Sequence, residues 1–330
     1  MKYFLLSVIL LFSTLVNAVE LKLGDYKNRA DVNQFIERMV EQTDYTESEL
    51  IELFSAVKKQ SHLFELLDKP AEKELDWHQY RHIFIKDKRI EQGVKFWRQH
   101  AELLSRIRLK TGIPEEIIIA IIGVETFYGI YKGKDPVFDS LVTLAFDYPR
   151  RSKFFSTELE QFLLLAKEQK LDPRALRGSY AGAMGMPQFI ASSYRSYAVD
   201  FDGDGQANLF DSIPDILASV ANYFVRHGWR VGEAIAGPLT ALETNSIYLL
   251  KPGIKTTYKW SELLQNGLYS KTELDPNTAV ALVQLQQKNV VEYWVGLQNF
   301  YVITRYNHSE LYAMAVYQLS LLIKDRMKQS

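Results

Sequence analysis

Two arrangements of carboxylates in this sequence have a spacing that can do chemistry. The first is Asp-Phe-Asp-Gly-Asp-Gly-Gln-Ala-Asn-Leu-Phe-Asp at 200–211. Acids at loop positions 1, 3 and 5, glycine at 6 and an acid at 12 match the calcium-loop pattern, because Ca²⁺ is a hard cation that takes many oxygens around one centre. In this reading Asp200, Asp202 and Asp204 offer side chains and Gln206 its backbone carbonyl. Asn208 gives a direct or water-bridged contact, and Asp211 closes the site. Asp211 stands where glutamate is usual, so its shorter arm predicts a weaker or less regular site. One such loop in mid-chain, with no partner loop elsewhere, points to a structural ion and not a sensor.

The second arrangement is a solitary acid, Glu125, at the inner end of the run Ile-Ile-Ile-Ala-Ile-Ile-Gly-Val at 117–124. That run is apolar on every helical face, which belongs in a core. It is far too short to span a bilayer. Pro114, Glu115 and Glu116 mark its start, since a missing N–H costs nothing there and acids suit the positive helix end. Gly129 is the expected stop. An acid held at the end of a buried helix loses hydration, which raises its pKa toward neutrality and fits it for general acid work near pH 7. The same pattern also fits an acid that only marks where the helix regains solvent, and the pattern alone does not choose between them.

The elements that must position these groups belong to an ordinary globular chain. It has 330 residues, 47% hydrophobic and 24% charged, enough for one large domain or two lobes. A net charge of −1 gives no electrostatic case for nucleic acid or an anionic membrane as partner. The 19 Tyr, 18 Phe and 5 Trp suit carbohydrate stacking but suit a core equally well. With no cysteine there is no thiol nucleophile, no disulfide framework and no lipid attached to an N-terminal Cys. Met1-Lys2, an apolar run from Tyr3 to Val16, and Val16-Asn17-Ala18 read as a secretory signal cleaved after Ala18. The mature chain is then expected to be soluble in the periplasm, without a stable membrane anchor.

Along the chain, 19–30 reads as irregular, and Asp31 as the cap of a helix with Val32, Phe35, Ile36 and Val40 on one face. Thr46-Glu47-Ser48-Glu49 is a capping box before Leu50, Leu53, Phe54 and Val57. Ile90, Val94, Trp97, Ala101, Leu104 and Ile107 predict one long helix ended by Gly112. A loop is expected over 131–140, then helices over 141–146, 156–170 and 213–227. The glycine-dense stretch 177–189 allows close backbone approach to a ligand or to a neighbouring helix. Residues 236–275 read as an irregular insertion, and the β-branched and aromatic runs at 278–285, 290–295 and 299–303 as a small antiparallel sheet. Helix returns over 309–328.

Gly-Val-Glu-Thr-Phe-Tyr-Gly (123–129), Tyr-Pro-Arg-Arg (148–151), Gly-Ser-Tyr-Ala-Gly-Ala-Met-Gly-Met-Pro-Gln-Phe (178–189) and the calcium loop together resemble the lytic murein transglycosylase B family. Ser-Val-Ala-Asn-Tyr-Phe (219–224) and Arg-Tyr-Asn-His-Ser (305–309) continue the likeness over essentially the whole mature chain. The resemblance implies an α+β, predominantly α-helical protein: a lysozyme-like catalytic core with a small antiparallel β subdomain. It divides the chain into a leader (1–18), an N-terminal helical lobe (19–110), the core with its calcium loop (111–235), the irregular and β part (236–298) and a C-terminal segment returning to the core (299–330).

It also implies cleavage of the MurNAc–GlcNAc β-1,4 bond of peptidoglycan without water, leaving a 1,6-anhydro-MurNAc end. By resemblance Glu125 is the catalytic acid/base, and Tyr80, Arg150, Arg151, Ser179, Gln188, Tyr223, Tyr306, Asn307 and Tyr312 bind the glycan strand. A structural Ca²⁺ and no organic cofactor are expected; partners among wall-building proteins are left open. Phe154 stands where a tyrosine is expected, so a hydroxyl contact is lost while stacking survives; Ala191 stands where proline is common. Glycosidases ordinarily use two carboxyls, ~5–5.5 Å or ~6.5–9.5 Å apart. With one acid supplied, the substrate's own N-acetyl group must serve as the second. A hydrolase of the same glycan and a non-catalytic, calcium-stabilised wall-binding protein are the rival readings.

Overall fold

The computed structural model describes residues 24–68, 75–241, 247–271 and 273–329. The expected leader and its cleavage point lie outside the described residues. In the first third are α1 (Ala30–Gln42), α2 (Glu47–Ser55), α3 (Leu63–Asp68), α4 (Trp77–Phe84), α5 (Asp87–Gln99) and α6 (Ala101–Thr111). Then come α7 (Glu115–Thr126), β1 (Asp135–Pro136), α8 (Val137–Asp147), α9 (Ser152–Glu168), β2 (Arg177–Gly178), α10 (Ala191–Tyr197) and α11 (Ile213–Arg226). The remainder is β3 (Ala236–Ala241), β4 (Tyr258–Lys259), α12 (Trp260–Gln265), β5 (Leu268–Tyr269), β6 (Ala279–Gln286), β7 (Val291–Gly296), α13 (Gln298–Tyr306) and α14 (Glu310–Lys328). The described residues are thus mainly helical, with the small antiparallel sheet that was expected and a separate two-stranded pair, β1-β2. No helix among the described residues is long and apolar enough to cross a membrane.

Helix α7 lies at the centre of the main core. Its residues are buried from Glu115 through Val124, and α5, α6, α11 and α14 surround it. A helix so enclosed has no face for its first-turn acids except other helices. Glu116 accepts from Lys324 Nζ of α14 at 2.6 Å, and Glu115 lies 3.5 Å from Arg108 of α6. These acids complement the helix N-terminus as they brace its neighbours.

The segment before α7 is fastened to α8 by polar contacts. Asp147 accepts from Tyr26 Oη (2.8 Å), Arg29 (2.7 Å) and Lys59 (2.9 Å), and Asp139 from the Lys58 backbone N–H (3.0 Å). Burial pushes the Asp139 carboxyl up, while the Asp147 carboxyl, though half-desolvated, is held down by its cationic and phenolic partners.

Several local expectations change. The Thr46 capping box forms as read, with Glu49 N donating to the Thr46 hydroxyl. In α1 the buried stripe is Val32, Phe35, Ile36 and Met39, one position from the expected Val40. The single long helix is two: the chain turns at His100 (φ −122°, ψ 20°), which leaves Ala101 exposed and buries Phe96 instead. The 131–140 loop is shorter than expected, because α8 begins at Val137. The run 299–303 is helix α13, not strand. Asn299 anchors it by donating to the carbonyls of Arg230 (2.8 Å) and Glu233 (3.0 Å), so tertiary contacts override the β-propensity of its apolar residues.

The sheet runs β4-β6-β7-β3-β5, all antiparallel, with Val283 opposite Trp294 and Leu285 opposite Glu292. Its strand β3 falls in the supposedly irregular insertion. Strand β6 is buried on both faces: Val283 and Leu285 join the main core, while Val280 and Leu282 join a small second core with Trp260, Leu263, Leu268 and Val295. That explains why its sequence is a continuous apolar run and not an alternating one.

Candidate active site

Glu125 closes the last turn of α7 and is half-buried, unlike the eight residues before it. The helix stops two residues earlier than Gly129 suggested. Phe127 (φ 50°) and Tyr128 (φ 60°) both adopt left-handed backbone before Gly129 (φ 86°). Two bulky residues in that region are strained and need the surroundings to hold them. Tyr128 is held by a slot: its hydroxyl donates to the Arg89 carbonyl at 2.9 Å, between two helix glycines. A Cβ on Gly93 of α5 or Gly123 of α7 would come within 2.5 or 2.6 Å of that oxygen. Thr126 locks the next contact, donating to the Met186 carbonyl at 2.9 Å and accepting from Gly129 N at 3.0 Å. The backbone that carries Glu125 is thereby tied to the glycine-dense stretch.

A stack of phenols faces the acid. Tyr312, in the first turn of α14, donates its hydroxyl to Glu125 Oε1 at 2.5 Å. The cap of α14 sets it there, with Tyr312 N donating to Ser309 Oγ at 3.3 Å. The Tyr306 ring lies almost parallel to that of Tyr312, 6.4 Å between centroids, and its hydroxyl donates to the Pro187 carbonyl at 2.6 Å. Tyr223 packs on Tyr306 (4.9 Å) and on Phe189 (5.6 Å), and donates to the Arg305 carbonyl at 2.5 Å. Burial, reinforced by the charge of Glu125, pushes Tyr306 and Tyr312 far above the ordinary phenol value. Burial likewise raises Tyr223. All three stay protonated donors. Tyr80 of α4 is buried, and its phenol adds slightly to the upward push on Tyr312.

The glycine-dense stretch forms the adjoining wall. Strand β2 pairs with β1 just beyond the Glu125 turn, Asp135 opposite Gly178. At Gly133 (φ 89°) a Cβ would sit 2.1 Å from the Gly178 carbonyl, so only glycine lets the strands close. Ser179 Oγ accepts from Ala181 N (3.3 Å) and Ala183 N (3.0 Å), shaping this turn. Gln188, itself left-handed (φ 53°), donates to the carbonyls of Lys132 (3.1 Å) and Gly185 (2.8 Å). Both tight packing and close approach were open for this stretch; the packing is now explicit.

The remaining expected binding residues have partners of their own or face solvent. Arg150 pairs with Asp68 at 2.8 Å, and the same carboxylate accepts from Tyr148. Arg151 lies 4.1 Å over the Phe154 ring, so the phenylalanine at that position keeps a stacking role toward its own arginine. Asn307 caps the C-terminal end of α13 and is exposed.

At the calcium loop, one oxygen each from Asp200, Asp202 and Asp204 lies within 4.8 Å of the others. That spread fits oxygens ranged around one ion bound at ~2.3–2.6 Å. Asp200 accepts from the N–H groups of Gly203 (2.6 Å) and Gly205 (2.8 Å), and Asp202 from Ser212 Oγ (2.7 Å), which fixes where the acids point. Asp211 is not in that cluster. It is exposed, 3.9 Å from Lys132 Nζ, which also donates to the Phe210 carbonyl at 3.0 Å. Gln206 N donates to Asp204 Oδ1 at 2.8 Å.

Three residues of this region escaped sequence reasoning. Asp215, fully buried, accepts from the N–H groups of Phe201 (2.7 Å) and Asn208 (2.8 Å) and clamps the loop to α11. Its position after Ser212 at a helix start was the available signal. Lys132, which joins the loop to the Gln188 wall, and Thr126 carried no signal of their own.

A family model described as the transglycosylase SLT domain matches residues 27–321. Membrane-bound lytic murein transglycosylase B of Escherichia coli K12 is 43% identical over 305 residues, 90% of this chain and 83% of the relative. The structure of the lytic transglycosylase SltB1 from Pseudomonas aeruginosa superposes with a TM-score of 0.88 at 44% identity, over 92% of this chain and all of that one. Escherichia coli Slt35, in complex with calcium, gives 0.86 at 42% identity over 93% and 96%. A helix that ends in one acid, a phenol set against that acid and the agreement of whole chains lead to one conclusion: this chain belongs to the lytic murein transglycosylase family.

Proposed function

We propose that Glu125 performs both proton transfers in cleaving the MurNAc–GlcNAc β-1,4 bond of peptidoglycan. The observation that carries this is its hydrogen bond to Tyr312, which fixes one carboxyl at the mouth of a buried helix. Protonated Glu125 donates to the leaving O4 as the glycosidic bond breaks. The N-acetyl carbonyl of the same MurNAc bonds to the anomeric carbon, standing in for the second carboxylate of a two-acid glycosidase. Glu125, now a carboxylate, removes the proton from the sugar's C6 hydroxyl. That oxygen attacks the anomeric carbon, displaces the N-acetyl oxygen and closes the 1,6-anhydro ring. Glu125 ends protonated, as it began. An attacking hydroxyl carried by the same sugar gains a large effective molarity over water.

The other residues hold the strand. Tyr223, Tyr306 and Tyr312 offer a hydrophobic, hydroxyl-edged surface suited to sugar faces, and Tyr80 backs Tyr312. Ser179 and Gln188 shape the opposite wall, and Arg150, Arg151 and Asn307 extend the contact along the strand. Ca²⁺ held by Asp200, Asp202, Asp204 and the Gln206 carbonyl, with Asp211 turning in from Lys132, supplies no chemistry; it neutralises acids that otherwise repel. The site of action is the periplasm, reached by cleavage after Ala18.

Mass spectrometry of products from purified peptidoglycan tests the reaction. Anhydro-MurNAc ends are expected; products heavier by one water would make the enzyme a hydrolase and discard the ring-closing step.

A further inference from the structure

Arg89, near the start of α5, stacks on Phe127 in the turn that follows Glu125, and its surroundings are unusual for a cation. Its guanidinium carbon lies 5.1 Å from the Phe84 ring and 5.1 Å from the Phe127 ring. Nη1 donates to the Ile83 carbonyl at 2.7 Å, and Nε is buried without a hydrogen-bond partner. Among the described residues it forms no ion pair, whereas Arg29, Arg108, Arg150, Arg174 and Arg195 each face a carboxylate. Burial accordingly pulls its pKa down. A half-desolvated charge without a counter-ion is costly, and such costs concentrate where a ligand supplies the missing charge.

Its location names that ligand. Phe127 stands two residues past Glu125, and Phe84 packs on Tyr80 (5.0 Å). Through Phe127, Arg89 is therefore tied to the turn that follows the acid. Outward from it the surface stays open and apolar: Ile130 is 59% and Tyr131 71% exposed, with Tyr131 against Phe127 at 6.1 Å. A strand of murein carries negative charge only on its muramyl substituents, as the lactyl carboxylate or the carboxylates of a stem peptide. Arg150 and Arg151 have neighbours of their own in Asp68 and the Phe154 ring.

We propose that Arg89, clamped between Phe84 and Phe127, is a substrate-binding residue that receives a muramyl carboxylate next to the scissile bond. This rests on the reading of the enzyme as murein-cleaving. Guanidinium suits the task because its planar fork meets a carboxylate with two N–H groups while its faces lie on rings.

The test compares wild type with Arg89→Met, which keeps the packing stem, and Arg89→Lys, which keeps the charge. Four substrates are used: strands bearing stem peptides, strands stripped of peptide so that lactyl carboxylates are free, and each of these with every carboxyl capped as methylamide. Arg89→Met is expected to raise KM about tenfold on the strand whose carboxylate is read, with kcat within about twofold, the loss of one charge-assisted contact. Arg89→Lys should lose less. On capped strands the variants and wild type should converge. An effect on peptide-bearing strands alone assigns the peptide carboxylate, and an effect on stripped strands the lactyl group. No change in KM on either charged strand, or an equal rise on capped ones, overturns the proposal. Should Arg89→Met not fold, Arg89→Lys against the capped strands decides alone. Anhydro ends made by wild type on capped strands keep the reaction itself out of question.

Discussion

Carboxylates do opposite work at the two ends of the catalytic wall. At the end of α7 one acid is set against a phenol, with apolar helices behind it and strained backbone beyond. In the 200–211 loop three acids crowd within 4.8 Å of one another on an exposed turn, their directions set by backbone N–H groups and Ser212. The first environment holds a single carboxyl against a phenol at the end of a buried helix. The second concentrates charge that only a cation relieves. The difference teaches that position relative to the core, not residue type, decides whether an acid is held singly and half-buried or grouped with others in solvent. Lys132 spans the two, its carbonyl on Gln188 and its ammonium beside Asp211.

The largest effect should come from Glu125→Gln, which keeps the shape and the Tyr312 contact but cannot shuttle a proton. Turnover is expected to fall by ~10³-fold or more with strand binding retained; a variant that still forms anhydro ends at a comparable rate would move the chemistry elsewhere. Calcium removal should act on the other side of the comparison. With the ion at 100 times its Kd, chelation withdraws about 2.7 kcal/mol of stability. The melting temperature should drop accordingly, while kcat measured below the transition changes little. An unchanged melting temperature after confirmed metal removal would deny the loop its structural role.

Gly123→Ala comes next. The added methyl meets the Tyr128 hydroxyl at 2.6 Å and must push it from its slot, at about 1–3 kcal/mol. Because Tyr128 braces the turn after Glu125, kcat should fall together with the melting temperature, and loss of stability with kcat intact would separate the slot from the site. Smallest is Lys132→Met. Removing an ammonium 3.9 Å from an exposed Asp211 should tighten Ca²⁺ by only about two- to fivefold, since solvent screens the pair. Calorimetric titration of Ca²⁺ reads this directly, and weaker binding would mean that Lys132 supports the loop instead of competing for Asp211.

Much of this was legible in the chain. The calcium loop announces itself because its ligands are local: twelve consecutive residues contain the carboxylate triad and the glycines that turn it. The α7 core helix was equally plain, since a run apolar on every face has no solvent-side alternative. The misreadings share a cause. The 90–107 stripe looked continuous because periodicity does not register a change of direction, and His100 supplies one. Residues 299–303 looked like strand until Asn299 was seen hydrogen-bonded to the 230–233 loop.

By itself the sequence determined the mainly helical class, the single acid at the end of a buried helix, the metal-binding turn and, through the order of its motifs, the family. Those rest on contacts between near neighbours in the chain or on composition. Only the tertiary structure decided that Tyr312, 187 residues away, meets Glu125, that Asp215 clamps the 200–211 loop, that Asp211 leans toward Lys132, and that Arg89 lies between two phenylalanine rings. Each depends on where distant helices come to rest, and that is set by the packing of the whole core and not by any local pattern.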